Sequence, residues 1–215
     1  MIFSLFSNPI VFVFVAVTIV IAITVHEFFH AFAADKLGDP TPRLMGRISL
    51  NPMRHLDLFG TIFILLAGFG WGKPVQFDPF NLENPRRDAA IIAVAGPISN
   101  FVMAIAGSLL AKGVDLFGGG SFLLNQFLFV FILLNLTLGV FNLIPVHPLD
   151  GFKIVGGLLP DEKAHEWYGL ERYGFIFLLL MILPLGPGGN SMVDSIIRPI
   201  IQFLGLFLFP SVVGS

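Results

Sequence analysis

From Met1 to Val25 the chain carries no Asp, Glu, Lys or Arg, and the apolar run then continues through "TVHEFFHAFAADK". A helix needs about 20 apolar residues to cross a hydrocarbon core. Pro9–Ala34 therefore reads as a spanning helix with His26, Glu27 and His30 in its last third. An ionisable group buried there costs a few kcal/mol unless something compensates it. Whatever this chain folds into must supply that compensation.

The rest of the 215 residues agrees with lipid as the solvent. Hydrophobic residues make up 55% and charged residues 12%, against about 25% charged in soluble domains. The N-terminus lacks the positive region and small-residue cleavage site of a signal peptide, so the first helix is expected to be retained. A formal charge of −2 with no basic run argues against nucleic acid as a partner, and the absence of cysteine excludes disulfides and thiolate metal sites.

Further spans are expected over Ala89–Ala111 and Phe122–Val146, with two more apolar blocks over Phe175–Leu185 and Ile196–Phe209. The block from Leu58 to Gly72 would reach only about 22 Å as a helix, short for a crossing. Basic residues flank it on both sides: Lys36, Arg43, Arg47 and Arg54 before it, Lys73, Arg86 and Arg87 after it. Because basic residues stay on the cytoplasmic side, this block is expected to dip in and return or to sit only partly in the membrane, with a full crossing as the alternative. The Pro-rich "KPVQFDPFNLENPRRD" has alternating stretches that suit short strands. The expected fold is all-α, a polytopic transmembrane bundle of about five to six segments with a short re-entrant or strand-like connection. On that topology the N-terminus lies outside, and His26–His30 and Asp150 arrive at one cytoplasmic-side depth. The four basic residues after the first helix would line a water-retaining exit.

In H-E-x-x-H the two histidines sit four residues apart on one helix face. Their ring nitrogens can reach one Zn²⁺ at about 2.0–2.1 Å, with the glutamate placed to take a proton from the water activated there. A catalytic zinc also needs a third protein ligand. Asp150, between a span and Gly151, is the leading candidate, and His147 is its rival. His55 and Asp57 are expected to cap and hydrogen-bond at the mouth of the short block. Asn100 reads as an interhelical hydrogen-bond partner, Ala95, Gly96 and Ser99 as close-packing positions, and His165 as solvated.

"HEFFH" in an early helix, "AGPISN" in a middle one and "NLIPVHPLDG" closing a later one resemble the site-2 protease family of intramembrane zinc metalloproteases. The compact prokaryotic members without a PDZ domain are the nearest pattern, and "GDPTPRLMGRISLNPMRHLDLFGT" and "GWGKPVQFDPFNLENPRRD" resemble their connecting segments. The match runs over about residues 20–155. It implies one Zn²⁺ per chain held by His26, His30 and Asp150, with Glu27 as catalytic base and acid. Asn142 would hold the substrate backbone or the developing oxyanion. It also implies a multi-pass protein of a prokaryotic cell membrane, its site towards the cytoplasm and its substrate a transmembrane protein. Residues 1–155 would be the catalytic membrane core and 156–215 the C-terminal helices, a candidate substrate gate. Two positions depart from the family pattern. Phe29 replaces a small residue and would crowd the packing near the metal, and His147 replaces a proline. A metal transporter or channel, or a non-catalytic zinc-binding membrane protein, would use the same residue types; the first needs several polar rings along the bundle, the second a closed four-ligand shell.

Overall fold

The computed structural model describes residues 8–67, 70–186 and 189–209. Nine α-helices run through them: α1 (Pro9–Lys36), α2 (Thr41–Leu44), α3 (Leu58–Ala67), α4 (Pro85–Leu116), α5 (Phe122–Asn142), α6 (Asp150–Leu158), α7 (Asp161–Tyr168), α8 (Glu171–Ile182) and α9 (Met192–Leu208). Short 3-10 turns cover Pro52–Arg54 and Pro79–Asn81. Among the described residues α1, α4 and α5 have both the length and the hydropathy to cross a membrane. The two late apolar blocks become α8, with 12 residues, and α9, with 17.

The ends of the long helices are written in their sequences. Asn8 caps α1 by accepting from the Val11 N–H at 3.1 Å, with Pro9 as its first residue. Ser121 caps α5. Ser191 and Asp194 form a reciprocal capping box at α9. The far end of α9 is fastened to α4, where Lys112 Nζ donates to the Phe207 carbonyl at 2.9 Å.

Helix α4 is the central post, packed against α1, α5 and α6. Its buried face is built from small residues, including Ala93, Gly96, Ala104, Gly107 and Ala111. Lipid tails are as apolar as the helices, so association depends on how closely backbones approach. A methyl group on Gly107 would lie 3.0 Å from the Phe131 ring and 3.1 Å from Ile132 of α5. At the other end a methyl on Gly157 of α6 would overlap Ala90 of α4. These contacts fix α6, and with it Asp150, against α4.

The short apolar block leaves and returns to one place. Leu56 pairs with Gly72 in an isolated antiparallel bridge, and the Lys73 N–H donates to the His55 carbonyl at 2.7 Å. The expected strands in residues 73–88 do not form among the described residues. Pro74 and Pro79 have no N–H for a ladder, and the Val75 N–H is spent on a side chain described below. This stretch instead lies as an extended strap, secured at its far end by Asp39. That buried carboxylate accepts from Thr41 N–H and Oγ1 at 3.0 and 2.6 Å, Asp78 N–H at 2.8 Å and Asn81 Nδ2 at 2.8 Å. Burial alone would raise its pKa, but these four donors outweigh it and hold the group below the usual carboxylate range.

Asp57 caps α3 through the Gly60 N–H at 2.8 Å, and the buried His55 ring donates from Nε2 to the Ser49 carbonyl at 2.6 Å. Both match the structural roles expected of them. Asp39→Ala should cost about 2–3 kcal/mol of stability by orphaning the strap's donors; a thermal melt of the detergent-solubilised variant measures it.

Candidate metal centre

Helix α1 places His26 and His30 one turn apart, both buried. The Ile92 carbonyl of α4 lies 2.7 Å from His30 Nδ1, and a carbonyl can only accept. As a neutral ring His30 therefore carries its proton on Nδ1 and presents a bare Nε2. His26 Nδ1 lies 2.7 Å from Asn100 Oδ1. Asn100 spends its amide hydrogens on the Ala22 carbonyl at 3.3 Å and Asn135 Oδ1 at 3.2 Å, so its oxygen is the atom facing His26. The same tautomer follows for His26. Asn100 and Asn135 are both fully buried, a polar chain through α4 and α5 that serves the α1 histidines.

The two Nε2 atoms approach to 2.9 Å. Asp150 Oδ2, at the start of α6, lies 3.1 Å from His26 Nε2 and 3.2 Å from His30 Nε2. Apart from these two nitrogens, no hydrogen-bond donor reaches that buried oxygen. With both rings neutral, three lone pairs converge, an arrangement that repels itself unless a proton or a metal ion sits among them. Ligand atoms placed tetrahedrally at about 2.0–2.1 Å from one ion are roughly 3.4 Å apart, close to the spacing seen here. Among the described residues these three form the one group able to hold a metal in this way. The residues fit a divalent ion.

Glycines make the convergence possible. A methyl on Gly96 would lie 2.6 Å from His26 Nε2 and overlap the His30 ring, so α4 approaches the histidines only with hydrogen at that position. One residue on, Pro97 withdraws the N–H that would bond the Ala93 carbonyl, loosening the turn whose neighbouring Ile92 carbonyl receives His30. A methyl on Gly151 would overlap the Leu143 and Ile144 carbonyls, so the end of α5 and the start of α6 also meet through a bare backbone.

Around the three groups lies a cavity of about 320 Å³ whose wall includes Glu27, Asn142, Val75 and Lys153. Glu27 Oε2 accepts from the Val75 N–H at 3.0 Å and lies 3.7 Å from Arg47 Nη2. Asn142 donates one amide hydrogen to the Leu138 carbonyl at 3.0 Å, one turn back in α5. A second cavity of about 540 Å³, reaching Asp194 and Arg198 of α9, shares Ile23, Leu138 and Phe141 with the first.

Family M50 of the peptidases matches residues 14–118 and 120–181 of this chain. The chain belongs to peptidase family M50. YwhC of Bacillus subtilis is 40% identical over 196 residues, 86% of this chain and 90% of the relative. Rip2 of Mycobacterium tuberculosis is 31% identical over 179 residues, 80% of this chain and 68% of the relative. Both are named "Putative zinc metalloprotease". The zinc metalloprotease MJ0392 of Methanocaldococcus jannaschii is 25% identical over 162 residues, 39% of its length. No solved structure matches the chain.

Membership in M50 agrees with the resemblance read from "HEFFH", "AGPISN" and "NLIPVHPLDG". Among the positions singled out in the sequence, His26, His30 and Asp150 come together, and Glu27 and Asn142 share their cavity. His147 does not join them: its Nδ1 lies 3.6 Å from Glu171, and its ring edges onto Phe152. Phe29 does not crowd the metal-facing side. It is 40% exposed on the outer surface of α1 and packs against Phe28 and Phe32. His165 is exposed, as expected.

The basic exit expected after α1 is also different. Arg43 pairs with Asp35 in two bonds of 2.6 Å, while Arg47 is only 3% exposed and turns inward. Asn135 and the Ile92 carbonyl went unnoticed in the sequence. An amide inside an apolar helix was the available signal for Asn135, but nothing marks one backbone carbonyl among many. Gly96→Ala should displace both imidazoles and leave the purified protein with much less than one bound metal per chain. Asn100→Ala should weaken metal binding about 10–100-fold by freeing the His26 tautomer; metal content against a competing chelator measures both.

Proposed function

We propose that this M50 peptidase is a zinc-dependent intramembrane endopeptidase that cleaves transmembrane segments of other proteins. One observation carries the reading: the converging ligand atoms of His26, His30 and Asp150 share a cavity with Glu27, a carboxylate outside that cluster. His26, His30 and Asp150 are the proposed ligands of one Zn²⁺. When bound, the ion supplies Lewis-acid polarisation of the scissile carbonyl and makes the attacking water more acidic.

Glu27 is the proposed base. Its hydrogen bond and ion pair both fall on Oε2, which leaves Oε1 for proton transfer. Glu27 accepts one proton as the water oxygen bonds to the carbonyl carbon. It delivers that proton to the amide nitrogen as the carbon–nitrogen bond breaks. Water's oxygen and its second hydrogen end in the new carboxyl group, and the new amine leaves with the transferred proton. Asn142, whose amide has a second hydrogen free of the Leu138 carbonyl, is positioned to stabilise the developing oxyanion.

Residues 1–155 contain every group this scheme uses. Phe175 and Leu178 of α8 close one side of the catalytic cavity, and α9 borders the connected cavity beside it. Their place supports a role for the 156–215 segment in admitting a substrate helix from the lipid. The bridge between Leu56 and Gly72 supports the re-entrant reading of the intervening block, with the site towards the cytoplasm. Ion transport would call for further ligand sets along the bundle, and the described residues bring together one. A structural zinc would call for a fourth protein ligand, and His147 is turned away.

Glu27→Gln should retain one metal per chain and lose about 10²–10⁴-fold in cleavage of a tagged single-span membrane protein. Retained turnover would overturn the assignment of the base. Chelation should abolish wild-type cleavage and added zinc should restore it; cleavage that survives metal removal would overturn the zinc reading.

A further inference from the structure

Arg47 is a full positive charge almost without solvent, held where the catalytic cavity meets the strap. It does not line that cavity. Its backbone is pinned by a turn: Gly46 has a φ of +66°, a conformation that favours glycine, and the Arg47 N–H donates to the Pro42 carbonyl at 2.8 Å. From that fixed root the guanidinium donates through Nη1 to the Arg54 carbonyl and through Nη2 to the Lys73 carbonyl. Nη2 also faces Glu27 Oε2 at 3.7 Å. Burial lowers the pKa of Arg47 from its ordinary range and Glu27 opposes that shift, but an arginine remains charged in either case.

A charge left in so dry a place is strongly unfavourable unless it is paired. The partners chosen are informative. Two are carbonyls on opposite sides of the re-entrant block, one just before it and one just after it. The third is the carboxylate proposed as the base. Two residues beyond Lys73, the Val75 N–H donates to the same Oε2. Pro74, between them, has no N–H of its own. Arg47 thus fixes the strap at Lys73, and the strap delivers one amide to Glu27.

We propose that Arg47 is a positioning residue for proteolysis: it clamps Lys73 so that the Val75 amide and the guanidinium together hold Glu27 Oε2, leaving Oε1 aimed at the reacting water. The assignment rests on Glu27 as the base. Arg47 stands outside the lining of the catalytic cavity and acts through Glu27 and the strap. A lysine there keeps the charge and can satisfy one or two of the three partners, but not all of them in the plane of the fork.

The test compares wild type, Arg47→Met and Arg47→Lys as full chains in dodecylmaltoside micelles. A quenched fluorescent single-span helix peptide serves as substrate. Arg47→Met should lower kcat about 10–100-fold, with KM within about twofold and one metal retained per chain. Arg47→Lys should recover part of the loss. A second measurement follows hydrogen exchange at the Val75 amide, which should accelerate in Arg47→Met and less so in Arg47→Lys. An unchanged kcat, a change confined to KM, or unaltered exchange at Val75 would each overturn the proposal. So would Arg47→Met losing its metal, because the residue would then serve the metal centre and not the base. If wild type cleaves no membrane helix while binding metal, the protease reading fails; the exchange measurement still decides whether Arg47 clamps the strap.

Discussion

The mutual repulsion of three lone pairs, His26 Nε2, His30 Nε2 and Asp150 Oδ2, is the interaction around which this molecule is built. With both rings neutral and no ion bound, they would push apart. They are held together by a layer of hydrogen bonds from a different helix. Ile92 and Asn100 on α4 take the far protons of the histidines, and Asn135 on α5 takes an amide hydrogen of Asn100. The cost of convergence is carried by these bonds and by packing that only bare backbone permits, at Gly96 and Gly151. A cation then turns the repulsion into attraction. The cluster therefore belongs to α1, α4, α5 and α6 jointly.

That dependence agrees with the small residues that make up most of the central helix's buried face. Among membrane helices, small residues are usually understood as a means of close packing. Here Gly96 has a more specific duty, because the atoms its hydrogen admits are the two converging imidazole nitrogens. Small residues further along α4, at Ala104 and Gly107, serve the ordinary purpose and meet Ile132, Leu136 and Phe131 of α5. One helix thus switches from packing to positioning within three turns. Asn100, four residues from Gly96, lies at that boundary, and its side chain belongs to both tasks.

Much of the centre was legible from the sequence because its signals violate the membrane's rules. His26, Glu27 and His30 stand out in a helix that otherwise excludes charge, and Asp150 stands out after a span at matching depth. Asn100 and Asn135 are polar amides in apolar helices. The parts that stayed hidden obey the rules. A carbonyl such as Ile92 is present at every residue, and Phe29 is as ordinary on a lipid-facing surface as it would be awkward near a metal. Residues 73–77 alternate in polarity as a strand does, yet pairing is decided by free N–H groups, and Pro74 and Glu27 leave few of them. Arg47 shows the limit most clearly. In sequence it is one of four basic residues flanking a helix, where the positive-inside rule accounts for all of them equally. Only the turn at Gly46 sends it inward.

The inward turn of Arg47 changes how the strap is to be understood. A loop that merely covered a site would be held by its own packing, and its removal would open the cavity without altering the groups inside. This strap is fastened at Asp39, at His55 and at Arg47, and between those anchors it donates an amide to Glu27. Its conformation is therefore coupled to the orientation of that carboxylate. Any peptide that entered beside Pro74 and Val75 and displaced the strap would also release Oε2. Substrate entry and alignment of the proposed base would then be two consequences of one movement, and the three anchors set how easily that movement occurs.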